Sequence, residues 1–367
     1  MLYIYIFFFV ANLLVGLFHR KSNLLILITN IFFIIFFVGS RNVIDLEGYM
    51  DHYAYGVDNY FVGGQVIFYH FIIVAKAIGL SFEGYRFVLS VVGLAGYYYF
   101  VKKLSPLPNL VYAAYMGYLL IMDDVQIRNF VGCGVFCVAL AQIYTHERGW
   151  RIRYIILVIL ASLVHSSFWI YLIFLILPKA DLSNIKHIKI IGLVSLVFSV
   201  AILFTRGFLN DYIMLFSFVD EEKLLRYSEN ATRYGGAVYM VVHVFVTFCI
   251  WWLYQRANFH RSKATVTYGL GNIQKVLQIS LLLDIISMVL FPAVVFSITF
   301  YRLIRNVYLL NAVALSVGYI KTRNKALPVM ALFLYTAVFF YFDLTSLDRI
   351  NVILVPMFLD NIYISPL

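Results

Sequence analysis

Charge is what this sequence has least of. Only 13% of its 367 residues are Asp, Glu, Lys or Arg, about half the share in a typical soluble domain. With 63% hydrophobic residues and a mean hydropathy of +0.89, too little polar surface remains to cover a water-soluble globule, and a disordered chain is excluded by the same figures. Cysteine is nearly absent too. Cys133, Cys137 and Cys249 all lie inside apolar runs with no histidine-rich neighbourhood, so neither a disulfide framework nor a zinc site is supported. Also missing are a Walker loop, a glycine dinucleotide fingerprint and a His-Glu-x-x-His spacing. The energy for any reaction must then come from the substrate or from an ion gradient.

What the chain does have is long apolar runs, at roughly 2–18, 23–39, 65–80, 84–101, 108–122, 125–144, 154–177, 188–205, 237–255, 273–296, 300–320, 326–342 and 350–365. They are too long for barrel strands and lack polar alternation. The expectation is an all-α, polytopic integral membrane protein of about 11–13 membrane segments. It forms a single transmembrane domain over residues 1–367, with external loops at about 41–62 and 206–236. The first apolar run precedes the first positive cluster, His19-Arg20-Lys21. That order is the reverse of a signal peptide and puts the N-terminus outside.

The net charge of +10 comes from Lys and Arg clustered between apolar runs, which reflects retention of positive loops in the cytoplasm rather than nucleic-acid binding. Arg20-Lys21, Lys102-Lys103, the 146–153 cluster, Lys179–Lys189, Arg256–Lys263 and Lys321–Lys325 read as cytoplasmic. These assignments conflict if every run crosses once. Two runs separate the external 41–62 loop from Lys102-Lys103 where parity needs an odd number, and one separates Arg153 from Lys179 where it needs an even number. Treating runs 65–80 and 154–177 as non-crossing or re-entrant resolves both conflicts. The first carries Gln65, His70 and Lys76, and the second is broken by His165-Ser166-Ser167. Polar, irregular backbone at membrane depth is tolerated where it is buried or lines a wet cavity. The alternative is thirteen simple crossings.

Ionisable residues at or in spans are functional suspects. The stretch Arg41 to His52 joins one fixed cation to Asp45, Glu47 and Asp51, with Tyr49 and Tyr53 close by. A carboxylate there can serve as general base, Arg41 can bind an anion, and a tyrosine can stack on a sugar. An ordinary solvated loop with interfacial tyrosines is the plainer reading. Arg128 opens a helix after Asp123-Asp124, where a guanidinium beside a helix N-terminus suits phosphate oxygens. An Asp–Arg pair capping a tight turn is the alternative. His165 stands at mid-run as either a buried structural histidine or a base facing a cavity. Arg226 and Arg233 in the second external loop, and Arg302 and Arg305 at i, i+3 spacing at the start of a span, are external cations that positive-inside retention does not explain. They point to an anionic ligand, a diphosphate by charge.

These residues resemble a family. Arg41 followed by Asp45-Leu46-Glu47-Gly48-Tyr49, then Ile127-Arg128-Asn129, then Ala161-Ser162-Leu163-Val164-His165-Ser166-Ser167, and last Tyr301-Arg302 with Tyr308, follow in order the motifs of EpsG-type, Wzy-like bacterial polysaccharide polymerases. Asn129 replaces the usual Gln, and Ile44 stands where the family has Gly. The resemblance implies a GT-C-like membrane glycosyltransferase in the bacterial cytoplasmic membrane. Such an enzyme joins oligosaccharide repeat units carried on undecaprenyl diphosphate at the outer face, in O-antigen, capsule or exopolysaccharide synthesis. Its motifs take in Arg41, Arg128, Arg302 and Tyr49, which it implies as substrate ligands, and Asp45 and His165 as candidate bases; Arg305, Arg226 and Arg233 join the ligands on their external charge, and Glu47 joins the bases as a carboxylate of the same loop. No metal, nucleotide or other cofactor is required, because the donor is already activated as a lipid diphosphate. Membrane lipids, the flippase and a chain-length regulator of the same pathway are the implied partners, and nucleic acid is not among them. A flippase or transporter of the same lipid-linked unit, or an acyltransferase using His165, is the rival. Charges gathered at one face favour the enzyme.

Overall fold

The computed structural model describes residues 1–41, 43–56, 65–145, 147–176, 185–204, 235–259, 271–296, 300–345 and 347–363. Among the described residues every regular element is a helix. Six helices are long and apolar enough to cross a membrane: Phe82–Leu104, Ile127–Thr145, Gly236–Arg256, Gln274–Val295, Tyr301–Lys321 and Ala326–Leu344. Shorter apolar helices accompany them. This is a polytopic all-α membrane protein. The helices pack as two compact units, Met1–Ile170 with Leu332–Leu367, and Tyr171–Ala331.

The first unit contains α1 (Leu2–Leu17), α2 (Asn23–Gly39), α3 (Leu46–Tyr55), α4 (Val66–Ala77) and α5 (Phe82–Leu104). There follow α6 (Pro108–Ala114), a π turn (Tyr115–Leu119), α7 (Leu120–Val125), α8 (Ile127–Thr145) and α9 (Trp150–Val164). The helix starts follow local chemistry. Ser22 and Ser81 accept the Leu25 and Gly84 amides 3.1 Å away, Pro108 sits in the first turn of α6, and Gly149 supplies a left-handed φ of 77° before α9. α5 and α8 run parallel and nearly touch. A Cβ on Gly96 would collide with the Gly134 carbonyl oxygen, and one on Gly93 would collide with the Phe130 ring. Small residues at those positions let two backbones close up where lipid gives no hydrophobic drive between helices.

One end of this unit is basic. A buried asparagine–threonine network joins α1, α2 and α6 there: Asn109 donates to Asn12 at 2.8 Å, Asn12 donates to Thr29 at 2.9 Å, and the Ser22 amide donates to Asn109. Arg20, Lys21, Lys102 and Lys103 flank it, and α8 ends in the same direction at the Arg148–Arg153 cluster. The positive-inside rule assigns that end to the cytoplasmic side and the opposite end, carrying Ser40, α3, the start of α5 and the α7–α8 junction, to the expected external side.

α4 spans 12 residues, about 18 Å, well short of a hydrocarbon core. Both of its ends meet the external layer. Gln65 accepts from Arg128, while Leu80 accepts the Tyr53 hydroxyl at 2.6 Å and Lys76 donates to the Ala54 carbonyl at 3.0 Å. A helix of 12 residues is too short for a simple crossing by itself. Run 154–177 is interrupted where expected. His165 takes an extended φ of −146°, α9 stops, and a 3-10 helix covers Ser166–Ile176. The 41–62 stretch, expected as an external loop, contains the helix α3 (Leu46–Tyr55), which its polar composition conceals.

The second unit contains α10 (Ile185–Phe204), α11 (Gly235–Phe259), α12 (Gly271–Ser287), α13 (Phe291–Phe296), α14 (Tyr301–Arg305) and α15 (Tyr308–Lys321). Its core holds polar groups. His243, Asp284 and Asn311 are fully buried, with His243 Nε2 3.0 Å from the Asp284 carbonyl oxygen. The Asn311 amide, oriented to donate, lies 2.7 and 3.0 Å from the two Asp284 carboxylate oxygens. α16 (Ala326–Leu344) rejoins the first unit. The C-terminal run, residues 347–359, is short, and it and the residues after it pack beside the end of α2 and the segment that follows. The Ile44 amide donates to the Val352 carbonyl and the Ile362 amide to the Gly39 carbonyl.

Candidate functional site

α3 presents Leu46 and Tyr49 inward at i, i+3 spacing, both buried. Tyr49 lies under Arg128, whose guanidinium carbon is 5.3 Å from the Tyr49 ring centroid and 5.7 Å from that of Phe68. Gln65, at the start of α4, accepts a hydrogen bond from the same guanidinium. Arg128 thus has two aromatic faces, the Tyr49 hydroxyl and one neutral amide, and no carboxylate at ion-pairing distance among the described residues. Its Nε is buried without a hydrogen-bond partner. A half-buried guanidinium resting on rings retains its charge and forked donors for an anion. It also stands in the first turn of α8, where the helix dipole favours negative charge.

The titrating groups beside it respond to the same features. Burial raises the Tyr49 pKa, the positive Arg128 opposes that rise, and Asp45 is close enough for its charge to add to it. Burial lowers the His52 pKa below 6.5, and Arg128 pushes it the same way while Asp51 opposes. Asp45 heads α3 with φ 44°, a left-handed conformation that a non-glycine residue rarely adopts. Asp45 and Glu47 are both exposed. Arg41 is exposed as well, and makes no hydrogen bond or ion pair among the described residues.

His165 shares the Arg128 side of α8. Arg128, Gly132 and Phe136 are four residues apart and share one face. Phe168 packs on the latter two, since a Cβ on Gly132 would come within 2.5 Å of its ring and its centroid is 5.6 Å from that of Phe136. His165 stands edge-on to Phe168 at 6.2 Å. Its Nδ1 accepts the Ser167 backbone amide at 3.3 Å and lies 2.8 Å from the Ser167 hydroxyl. An imidazole that accepts at Nδ1 carries its neutral-state proton on Nε2.

Asp124 does not cap a turn with Arg128. Its partner is Arg86, in the second turn of α5, with a guanidinium nitrogen 3.0 Å from Oδ1 and the two residues 3% and 5% exposed. Arg86 lies inside run 84–101, and reading that run as a plain span passes over it. The signal is present, because an arginine inside an apolar run with an Asp elsewhere in the chain is a pair to look for. Asp343, fully buried beside Tyr118, and Arg349, which donates to the Asp343 carbonyl at 2.8 Å, escape the sequence reading likewise. Arg302 and Arg305 belong to the second unit. Arg302 is half-buried, while Arg305 is fully buried, its guanidinium over the Tyr301 ring and donating to that hydroxyl at 3.2 Å. Arg226 and Arg233 lie outside the described residues.

A family model described as the EpsG family matches residues 24–356, and the chain belongs to that family. No curated protein and no solved structure matches it. Membership indicates, at a coarse level, a glycosyltransferase-like, polysaccharide polymerase-like role in a multi-pass membrane protein.

Proposed function

We propose that this member of the EpsG family is a polysaccharide polymerase acting at the external face of the bacterial cytoplasmic membrane. It joins oligosaccharide repeat units carried on undecaprenyl diphosphate. The observation that carries the reading is Arg128, a cation seated on Tyr49 and Phe68 without a carboxylate partner among the described residues. Held by rings and neutral groups rather than by a carboxylate fork, its charge and its free donors stay available to an anion. Exposed Arg41, from the end of α2 in the same external layer, provides a second one.

The chemistry follows from the leaving group. A sugar hydroxyl of one unit attacks the anomeric carbon of the other, the bond from that carbon to the phosphate oxygen breaks, and diphosphate departs on its lipid. Negative charge grows on the phosphate oxygens as the bond stretches, so arginines that bind them more tightly late in the reaction lower the barrier. The hydroxyl proton needs an acceptor. His165 is a poor one in this reading, because its Nδ1 lone pair is taken by the Ser167 amide. Asp45, exposed and close to Arg128 and Tyr49, is the favoured base, with Glu47 nearby in the first turn of α3. Tyr49 supports Arg128 from below, which leaves the exposed Tyr55 and half-exposed Tyr53 to stack on sugars. Arg302, Arg305, Arg226 and Arg233 remain proposed ligands on charge alone.

Glycan analysis of cells lacking the protein tests the reading. Single repeat units capped onto the final acceptor, with no long chains, are expected. Accumulation of lipid-linked units on the cytoplasmic side would identify a flippase instead.

A further inference from the structure

We infer that Arg86 is a positioning residue for this site, a buried tie that sets the relative placement of Arg41 and Arg128. The inference rests on the reading of those two arginines as diphosphate ligands. Arg86 projects from the second turn of α5 and reaches two other elements. One terminal nitrogen donates to the Ser40 carbonyl at 2.9 Å and, more weakly, to the Val38 carbonyl at 3.4 Å. The other donates to the Ser40 hydroxyl at 2.9 Å and to Asp124 Oδ1 at 3.0 Å. Ser40 immediately precedes Arg41, and Asp124 lies four residues before Arg128 across the α7–α8 junction. One guanidinium therefore fixes the chain on the near side of both anion-binding cations.

The bonding pattern speaks for a tie between elements rather than for an ion pair that merely stabilises. An arginine optimised for a carboxylate engages both of its oxygens as a fork. Here only Oδ1 is used. Asp124 Oδ2 and Arg86 Nε are both buried without a hydrogen-bond partner, and the remaining donors go to the end of α2. The geometry gives up the second carboxylate bond in exchange for holding three elements at once. Lysine, a point charge without the planar fork, cannot span those acceptors. Misplacing a catalytic cation by about 1 Å costs on the order of 100-fold in rate, so small slippage at this junction is enough to matter.

The test compares Arg86→Lys, Asp124→Asn and Arg128→Gln with Asn109→Ala, which breaks a buried network at the opposite, basic end of the same unit. The full chain in nanodiscs is titrated with inorganic diphosphate, thermal unfolding is followed in parallel, and elongation of lipid-linked units is measured in membranes. Arg86→Lys is expected to weaken diphosphate binding at least about tenfold and to lower turnover at saturating substrate on the order of 100-fold. Asp124→Asn, which is nearly isosteric, should weaken binding in the same direction. Asn109→Ala should lower the unfolding temperature and leave diphosphate affinity unchanged. Folded Arg86→Lys or Asp124→Asn protein that binds and elongates within twofold of the natural chain overturns the inference, as does a loss in Asn109→Ala as large as theirs. If Arg86→Lys does not fold, Asp124→Asn decides. Unchanged binding in Arg128→Gln overturns the anion site itself, whereas binding lost there and retained in Arg86→Lys overturns the positioning role alone.

Discussion

Replacing Arg128 by a neutral residue of similar length should abolish anion binding while leaving the fold intact, and both halves of that expectation can be worked from its surroundings. Arg128→Gln removes a charge that no carboxylate among the described residues balances, so no buried anion is stranded. The substitution sacrifices two cation–π interactions, at 5.3 and 5.7 Å, each about 0.5–1 kcal/mol, and one hydrogen bond to Gln65 of about 1 kcal/mol. A glutamine amide can still donate to Gln65 in place of the guanidinium, so net stability should fall by less than about 2 kcal/mol. Ligand binding is another matter. Two charge-assisted bonds to phosphate oxygens contribute about 1.5–3 kcal/mol each, so their removal lowers diphosphate affinity by at least about 100-fold. Calorimetric titration of the purified chain with diphosphate, beside thermal unfolding and chain-length analysis in cells, separates the two effects. An Arg128→Gln protein that binds diphosphate within twofold of the natural chain, or that elongates normally, refutes the reasoning. Arg128→Lys should keep some affinity and lose most turnover, because the charge survives and the fork does not.

Cysteine placed at Glu47 should react with an impermeant maleimide from outside the cell and one at Arg148 should not; the natural cysteines are buried and stay silent, and external labelling at Arg148 would restore thirteen crossings. His52 carries a pKa depressed by burial and then by Arg128, so the folded state binds fewer protons than the unfolded state below about pH 6.5. Stability supplied by its neutral form is therefore present above that pH and declines as pH falls through the lower folded-state value. His52→Gln should flatten that part of a melting-temperature profile, and an unchanged slope would remove His52 from the account. Gly96→Ala drives a Cβ into the Gly134 carbonyl oxygen; a loss of about 1–3 kcal/mol in detergent unfolding is expected, and wild-type stability would mean that α5 and α8 do not approach so closely. Asn311→Leu strips the buried Asp284 carboxylate of its amide donors, which should cost about 1–3 kcal/mol with no effect on diphosphate binding.

Helices are legible in the sequence because hydrocarbon permits little else. Run 23–39 matches α2 at both ends, since Ser22 is a good N-cap and the residues after Gly39 turn polar. The break at His165 is legible for a similar reason, a polar triplet inside an apolar run. α3 is not, because its buried residues, Leu46 and Tyr49, are too few to raise a 10-residue helix above the background of an acidic loop. Residue type and order single out Arg41, Asp45, Glu47, Tyr49, Arg128 and His165, yet nothing in the sequence can pair Arg128 with Gln65, 63 residues away, or set it over Phe68. Partners so distant are fixed by how α4 folds back at the external surface, and that depends on packing rather than on any local pattern.

The two arginines of this layer show why residue type alone misassigns roles. Both sit near the start of a long helix, Arg86 buried and Arg128 half-buried. Arg86 has Asp124, the Ser40 hydroxyl and two carbonyls around it, so its charge is consumed within the protein. Arg128 has rings, the Tyr49 hydroxyl and a neutral amide, so its charge is still available. The difference predicts opposite responses to neutralisation. Arg86→Gln leaves Asp124 as an uncompensated buried anion and should cost about 3–5 kcal/mol of stability, whereas Arg128→Gln should unfold close to the natural temperature and fail only in binding. Adding Asp124→Asn to Arg86→Gln removes the stranded charge and should recover most of the lost stability without restoring turnover, because the tie to Ser40 is still gone. If the double variant instead elongates chains as the natural protein does, the Arg86–Asp124 pair is dispensable to the site and its only contribution is to stability.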